Sequence, residues 1–489
     1  MAWPSCLSPP PCDPHPFHET PSPVTSPSSF ASLPLSPPTL ENLERLEFHT
    51  MTPVQAQSLP PILAGEDVIV QAKTGSGKTA ALGLGILHTL NPAWFGTQAL
   101  VLCPTRELSE QVAVELRHLA RAAGNIKILT LCGGAAIRPQ IESLQHGAHI
   151  VVATPGRLLD HIERGSVDLA GLKTLVLDEA DRMIDMGFHD DITAIVKACP
   201  TRRQTLLFSA TYPDNIRKAS ARFLNRPQEI RLESRHDDSE IEQRFYEVVP
   251  AQRNAAVAKL LAHFKPVSTL AFCNTKAQVR TLSLDLRKQG FSALALHGDL
   301  EQREREDVLV QFSNQSCSVL VATDVAARGL DIQTLDAVIN VDITPNAEVH
   351  VHRIGRTGRG KSKGLALSLV TRSEMHRAAL IETYQATPIA WFSLDKLKAP
   401  TGRPPQAPMV TLCIQGGRKD KLRAGDLVGA LTKDAGFAFE QIGKINVLDF
   451  VTFIALDRLI AAKAFKKLSD GTIKGRHFNM RFMQDDIRL

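Results

Sequence analysis

The segment "DVIVQAKTGSGKTAALGLGILHTL", Asp67 to Leu90, decides the fold. "DVIVQ" is short, apolar and β-branched, as a buried strand is. "AALGLGILHTL" is apolar at helical spacing and stops before "NP". Between them lies the glycine-rich turn "AKTGSGKT" (Ala72–Thr79). Strand, glycine loop and helix in that order make a phosphate cradle, because backbone N–H groups and a helix N-terminus converge on the anion. The usual pattern G-x-x-x-x-G-K-[ST] is not met here, since Ala72 takes the first Gly position. "GRTGRGKS" (Gly355–Ser362) does meet it, in the wrong surroundings. After Ser362 come Lys363, Gly364 and "LALSLV", which alternates like a strand and starts with a poor helix former. Ala72–Thr79 is therefore the cradle, and Gly355–Ser362 is an Arg-rich loop with another role.

Working outward, short apolar strands alternate with helical segments from Phe30 to Glu233: "QALVLC", "IKILTLC", "HIVVATP", "TLVLDEAD" and "TLLFSAT" join "DVIVQ". That alternation implies a parallel sheet covered on both faces. A polar linker is expected over residues 234–243. A second alternating set spans 244–371, with "TLAFCN", "SALALHGD", "CSVLVATD", "AVINVD" and "GLALSLV". Residues 372–408 read as a helix followed by a Pro-rich linker. Residues 409–489 read strand, helix, two strands, helix, strand, the order of a small α+β RRM-like domain. Residues 1–29, rich in Pro and Ser, lack the means to build a core and are expected to be disordered or to stem from an upstream start codon. The fold class is thus α/β, two tandem RecA-like lobes plus a C-terminal RRM-like domain.

The chain has 489 residues, enough for about three domains. No apolar run reaches the roughly 18 residues of a membrane span, and no secretory signal is evident. The eight Cys form no C-x-x-C pair, which points to reduced thiols and a cytoplasmic setting. Net charge is +5, but residues 401–489 hold fifteen Lys and Arg against nine Asp and Glu. A basic terminal module points to nucleic acid.

The cradle assigns Thr74, Gly75, Ser76 and Gly77 to the wall around the phosphates and Lys78 to their charge. The Thr79 hydroxyl is set against Mg²⁺. About a hundred residues on, "TLVLDEAD" ends a strand with Asp178, suited to Mg²⁺ coordination partly through water. Glu179 is suited to activating an attacking water.

Six motifs now resemble one family in order: "PTREL" (Pro104–Leu108), "TPGR" (Thr154–Arg157), "DEAD" (Asp178–Asp181), "SAT" (Ser209–Thr211), "ARGLD" (Ala327–Asp331) and "HRIGRTGR" (His352–Arg359). The chain is similar to the DEAD-box RNA helicases from about Phe30 to Thr371. The resemblance implies RNA-stimulated ATP hydrolysis coupled to local RNA unwinding, with ATP bridging two lobes. It accounts for Ala72, the family's ordinary first P-loop residue. It makes "EFHTMTPVQ" (Glu47–Gln55) the adenine-reading segment, with Gln55 on the base, Phe48 stacking and Phe30 as the upstream aromatic. This chain has Glu47 and Met51 where the family usually has Gly and Pro. The same resemblance implies that Gly329 and Asp331 contact the nucleotide and that Arg356 and Arg359 reach its phosphates, a role for the false P-loop. It implies RNA-backbone contacts from Pro104, Thr105, Arg106, Gly133, Gly134, Thr154, Arg157 and Thr323. Ser209, Ala210 and Thr211 would couple hydrolysis to strand separation.

The tail from "VTLCIQGGRKDKLRAGD" onward resembles the C-terminal domain of the DbpA subfamily. That implies binding to a hairpin of 23S rRNA and a role in large-subunit (pre-50S) assembly, the protein acting as a monomer without a membrane partner. The usual stacking aromatics of an RRM are missing from "VTLCIQ", and Phe450 and Phe453, three apart, cannot share a strand face. RNA binding is therefore expected through Arg418, Lys419, Lys421 and Arg423, with Lys463, Lys466, Lys467, Lys474 and Arg476 as a second group. A general helicase of mRNA turnover and an ATP-gated RNA clamp stand as alternatives.

Overall fold

The computed structural model describes residues 29–72, 75–212, 217, 220, 222–232, 241–327, 335–358, 363–397, 402 and 404–483. The tail assigned to 1–29 lies outside the described residues up to 28, and the linker assigned to 234–243 does so up to 240. The chain forms two compact units, the first built on one sheet and the second on two.

The first sheet holds β1 (Val68–Gln71), β2 (Ala99–Leu102), β3 (Ile128–Leu131), β4 (Ile150–Ala153), β5 (Thr174–Asp178), β6 (Gln204–Ser209) and β7 (Gln228–Arg231). They run parallel in the order β3-β4-β2-β5-β6-β1-β7. β2 and β4 to β6 are buried along their whole length, which requires cover on both faces and explains the wholly apolar β2 and β4 and the apolar centres of β5 and β6. The strand β1 ends at the cradle, and the helix Lys78–Thr89 follows it.

The second sheet repeats the plan. It holds β8 (Ile241–Glu247), β9 (Thr269–Cys273), β10 (Ala293–Leu296), β11 (Val319–Thr323), β12 (Ala337–Asn340), β13 (Gly364–Val370) and β14 (Trp391–Phe392). Their parallel order is β10-β11-β9-β12-β13-β8-β14. This lobe extends past the sequence boundaries 244–371 on both sides. β8 begins at Ile241, inside the assigned linker. Beyond Thr371, the helix Met375–Gln385 buries Ala378 and Ile381 against Phe245 and Val370, and Trp391–Phe392 pair with Phe245 and Tyr246. Ala378 and Ile381 belong to the lobe's core, and Trp391–Phe392, though exposed, add an edge strand to its sheet.

The third sheet is antiparallel, in the order β16-β17-β15-β18, from β15 (Met409–Ile414), β16 (Ile442–Val447), β17 (Thr452–Asp457) and β18 (Met480–Phe482). Helices at Ala424–Gly429 and Ala461–Asp470 complete the expected order. Val410, Leu412, Ile414, Ile454 and Leu456 face those helices and form the core. By strand alternation, Thr411, Cys413, Phe453 and Ala455 face the other way, and all four are buried. For Thr411 the cause is the second lobe: its hydroxyl accepts from Asn314 Nδ2 at 3.2 Å and lies 2.6 Å from Ser316 Oγ. The Met409 N–H donates to the Gln315 carbonyl at 3.3 Å. The outer sheet face of the small domain is thus its docking face.

Candidate functional site

The cradle is built by left-handed glycines. Gly75 and Gly77 have φ of 80° and 91°, a region that costs other residues a Cβ clash. A Cβ on Gly77 would also lie 2.5 Å from Gln55 Nε2. Ala72 is not among the positive-φ residues, so its position needs no glycine. Lys78 caps the loop from inside: it is buried, and its Nζ donates to the Ala72 carbonyl at 2.7 Å. Burial pulls its pKa down, against the pull of Asp178 and Glu179. Thr79 follows, half-buried.

The helix Pro53–Leu63 is stapled to this loop. Thr52 and Gln55 form a capping box at its start. The Thr52 hydroxyl donates to the Ser76 carbonyl at 2.7 Å, and Gln55 Nε2 donates to the Gly77 carbonyl at 3.2 Å. Gln55 Oε1 accepts from Thr52 N at 2.9 Å, so both ends of the carboxamide are engaged and the side chain is 1% exposed. The expected adenine reader is therefore held against the P-loop. Phe48 is half-buried, its ring edge-on to the buried Phe30 at 6.4 Å.

Asp178 closes β5, fully inside the protein. Burial, and then the charge of Glu179, push its pKa up to about 7. Glu179 has φ 52° and receives Arg182 Nη1 at 2.7 Å on Oε2. A buried carboxylate beside a second acid, with the Thr79 hydroxyl in the first turn of the helix after the cradle, is a donor set that suits a hydrated Mg²⁺, which takes one or two carboxylates and completes its shell with water and phosphate. Asp181 turns the other way. Its Oδ2 accepts from Thr211 N at 3.1 Å and Oγ1 at 3.0 Å, and Ser209 Oγ accepts from Asp181 N at 3.3 Å. The acidic strand end of β5 is thus bonded directly to the segment Ser209–Thr211 at the end of β6, with Ala210 between its two polar anchors.

The remaining candidates of the first sheet stand on its other half. Pro104, Thr105 and Arg106 follow β2, Gly133 and Gly134 follow β3, and Thr154 and Arg157 follow β4, three adjacent strands. Arg157 Nη1 donates to Gln140 Oε1 at 3.0 Å, and Gly134 takes φ 77°. The carboxyl ends of β5 and β1 therefore carry the phosphate and Mg²⁺ candidates, that of β6 the coupling candidates, and those of β3, β4 and β2 the RNA candidates, all on the edge where ligands bind in parallel α/β sheets.

In the second unit, Thr323 ends β11 and Arg356 is buried just after the helix Ala347–Ile354. That helix precedes the loop and a strand follows it, the reverse of P-loop order. Sequence reading missed Arg353, which is 2% exposed. Its guanidinium makes a two-pronged pair with Asp324, 2.7 Å on each arm, and reaches the Asp342 carbonyl at 2.7 Å and Asn274 Oδ1 at 3.0 Å. It fixes the start of the "GRTGR" loop. The assigned Thr74, Gly329, Asp331 and Arg359 lie outside the described residues.

On the small domain Arg418, Lys419, Lys421 and Arg423 are all exposed on one turn after β15. The second basic group is more occupied: Lys467 Nζ donates to the Ala435 carbonyl at 2.5 Å, and Lys474 Nζ to that of Lys421 at 3.3 Å. Lys463, Lys466 and Arg476 are exposed.

Known proteins carry the same parts. Residues 52–219 match the DEAD/DEAH box helicase family, 252–361 the helicase conserved C-terminal domain, and 411–482 the DbpA RNA binding domain. The chain is 50% identical over 458 residues to the ATP-dependent RNA helicase DbpA of Escherichia coli K12, covering 94% of this chain and 100% of that one. It is 43% identical over 375 residues to the DEAD-box ATP-dependent RNA helicase CshA of Bacillus cereus, 76% of this chain and 70% of the relative. Among solved structures, S. cerevisiae Dbp5 bound to RNA and ADP BeF3 superposes with a TM-score of 0.69 at 29% identity, over 75% of this chain and 96% of that one. Mss116p bound to ssRNA and AMP-PNP gives 0.68 at 26%, over 77% and 81%. Among the described residues no helix is long and apolar enough to cross a membrane. With its cradle, its acidic strand end and an RNA-binding domain of matching kind, the chain belongs to the DEAD-box ATP-dependent RNA helicases, in the DbpA subfamily.

Proposed function

We propose that this helicase is addressed by its C-terminal domain to a hairpin of 23S rRNA and unwinds RNA locally during large-subunit assembly. The observation that carries the reading is the exposed basic turn Arg418–Arg423 on a domain of the DbpA RNA-binding type. The helicase core offers backbone-type contacts, which carry no sequence information. An address must come from elsewhere, and this turn has four cations in six residues.

In the hydrolytic step Lys78 leaves the Ala72 carbonyl for the β- and γ-phosphates. Thr79 and Asp178 would hold Mg²⁺, which when bound would neutralise phosphate charge. Glu179, steadied by Arg182 on one oxygen, orients the attacking water with the other. Arg356 and Arg359 are assigned to the transferred phosphate. The bonds from Asp181 to Thr211 and Ser209 support a coupling role for Ser209–Thr211, since the acidic strand end cannot shift without them. Gln55 keeps one N–H and one oxygen lone pair beyond its present partners, the pair that reading adenine N6 and N7 would use.

The test is steady-state ATPase activity with no RNA, a generic duplex, and a 23S rRNA fragment containing the peptidyl-transferase hairpin. Strong stimulation by the rRNA fragment alone, lost when Arg418, Lys419, Lys421 and Arg423 become Ser, supports the address. Substitution is cleaner than deleting 405–489, which would also uncover Asn314 and Ser316. Equal stimulation by both RNAs would put a general helicase or an RNA clamp in its place.

A further inference from the structure

The small domain has lost the surface on which RRM-type sheets stack bases, because Thr411 is buried against the second lobe and Cys413, Phe453 and Ala455 on the same face are buried as well. An aromatic ring is nonetheless presented to solvent. Phe450, at the tip of the β16–β17 hairpin, is 69% exposed, and Leu448 beside it is exposed as well. This tip is clamped onto the basic turn. Arg418 N donates to the Leu448 carbonyl at 2.8 Å, Lys419 N to that of Asp449 at 2.9 Å, and Arg418 Nε to that of Val447 at 3.0 Å. Gly417 permits the approach: a Cβ there would fall 2.2 Å from the Leu448 oxygen. Two loops distant in sequence are thereby fixed as one surface, with a ring from one and cations from the other. The Lys419 and Lys421 side chains have no polar partner among the described residues. Against the four cations stand three acids, Asp449 exposed and Asp420 and Asp426 half-buried, and Asp426 is engaged by the Arg423 N–H at 2.9 Å and by Lys474 Nζ at 3.5 Å. Asp420 is itself committed to the Gly417 N–H at 3.0 Å.

We propose that Phe450 is a stacking platform for an unpaired RNA base, with Arg418 and Lys419 holding the phosphates on either side. The ligand class follows from the surface. A ring face takes any base, fixed cations beside it take the backbone, and a base inside a duplex cannot reach a ring at a loop tip. A protein partner would be expected to need a wider apolar area than one ring and one leucine. The site rests on the RNA-binding character of this domain and not on the choice of ribosomal RNA.

The experiment uses the full-length protein without nucleotide and four fluorescein-labelled RNAs. They are a 23S-derived hairpin with an unpaired 3′ extension, the same with the extension paired, and scrambled-sequence versions of both. Phe450→Ala should weaken binding to both extended RNAs about 5- to 100-fold and leave the paired ones unchanged. Phe450→Trp should retain wild-type affinity. Lys419→Ala should weaken all four and lower the salt slope by about 1. Unchanged binding of the extended RNAs by Phe450→Ala, or an equal loss on paired ones, overturns the platform. So does a wild type that does not favour extended over paired RNA. The ratio of ribosomal to scrambled affinity in the wild type tests the rRNA address separately.

Discussion

Glu47 illustrates what one residue contributes to this site. The helix Pro37–Arg45 ends with Phe48 N bonded to the Leu43 carbonyl at 2.9 Å and Glu47 N to that of Glu44 at 3.0 Å. That is a Schellman closure with Glu47 in the left-handed position, φ 63°, where glycine is normal. The turn sets Phe48 on Phe30, so the family's glycine has a geometric reason and this chain carries strain instead. Glu47→Gly should stabilise the first unit by about 0.5–1 kcal/mol, part of the relief being offset by a more flexible unfolded chain. A lower urea midpoint for that unit would refute the assignment of strain. Glu179→Gln should keep ATP and RNA binding and cut turnover by at least about 10²-fold, as removal of a water-orienting base does. Undiminished steady-state turnover would move that role to another group. Glu179 was a candidate from the sequence because phosphate and Mg²⁺ chemistry restricts residue type and spacing. Arg182 and Arg353 were not, since a charged residue reads as exposed unless its buried partners are known.

At the scale of elements, the interior strands were legible and the edges were not. β5 and β6 are wholly buried, and the apolar runs Leu175–Leu177 and Leu206–Phe208 at their centres mark them. β7 buries only Ile230, and β8 reads "IEQRFYE", with four polar or charged residues in seven and only Phe245 and Tyr246 buried, which resembles a linker. The same edge region holds a titratable device. His350, on the helix Ala347–Ile354, is buried against Phe245 at 5.7 Å, and its Nδ1 has no hydrogen-bond partner. Burial, and then the Arg353 charge, push its pKa down to about 3. The folded value lies below the ordinary 6.5, so its contribution to stability is complete above pH 6.5 and is lost as pH falls toward 3. Each unit in that window should cost about 1.4 kcal/mol. Denaturant unfolding of the second unit at pH 7 and pH 5.5 should show a larger acid loss in the wild type than in His350→Gln. Equal losses would mean that the histidine is protonated in place.

Over the whole second unit, the consequential contact is the one between the small domain and its lobe. RRM-like topology was readable from element order, but which sheet face is used was not, because Thr411 and Cys413 are small polar residues that suit solvent as well as an interface. The interface has few polar anchors: Thr411 serves both Asn314 and Ser316, and Asn314 Oδ1 is left without a partner. Thr411→Val keeps the side-chain shape and removes the shared hydroxyl, which should cost about 1–3 kcal/mol of docking. That corresponds to about 5- to 150-fold more of the undocked form. With dyes on the exposed faces of the helices Lys276–Lys288 and Ala461–Asp470, the wild type should give one narrow transfer-efficiency population and the variant a second, broader one. The basic turn and Phe450 stay on the domain in either form, so RNA affinity should change little. What should fall is the stimulation of ATP hydrolysis by RNA, because a tethered but undocked domain presents its RNA at a range of distances from the lobe. A wild type already split into two populations would show that the address is carried on a flexible arm, and Thr411→Val would then leave stimulation unchanged.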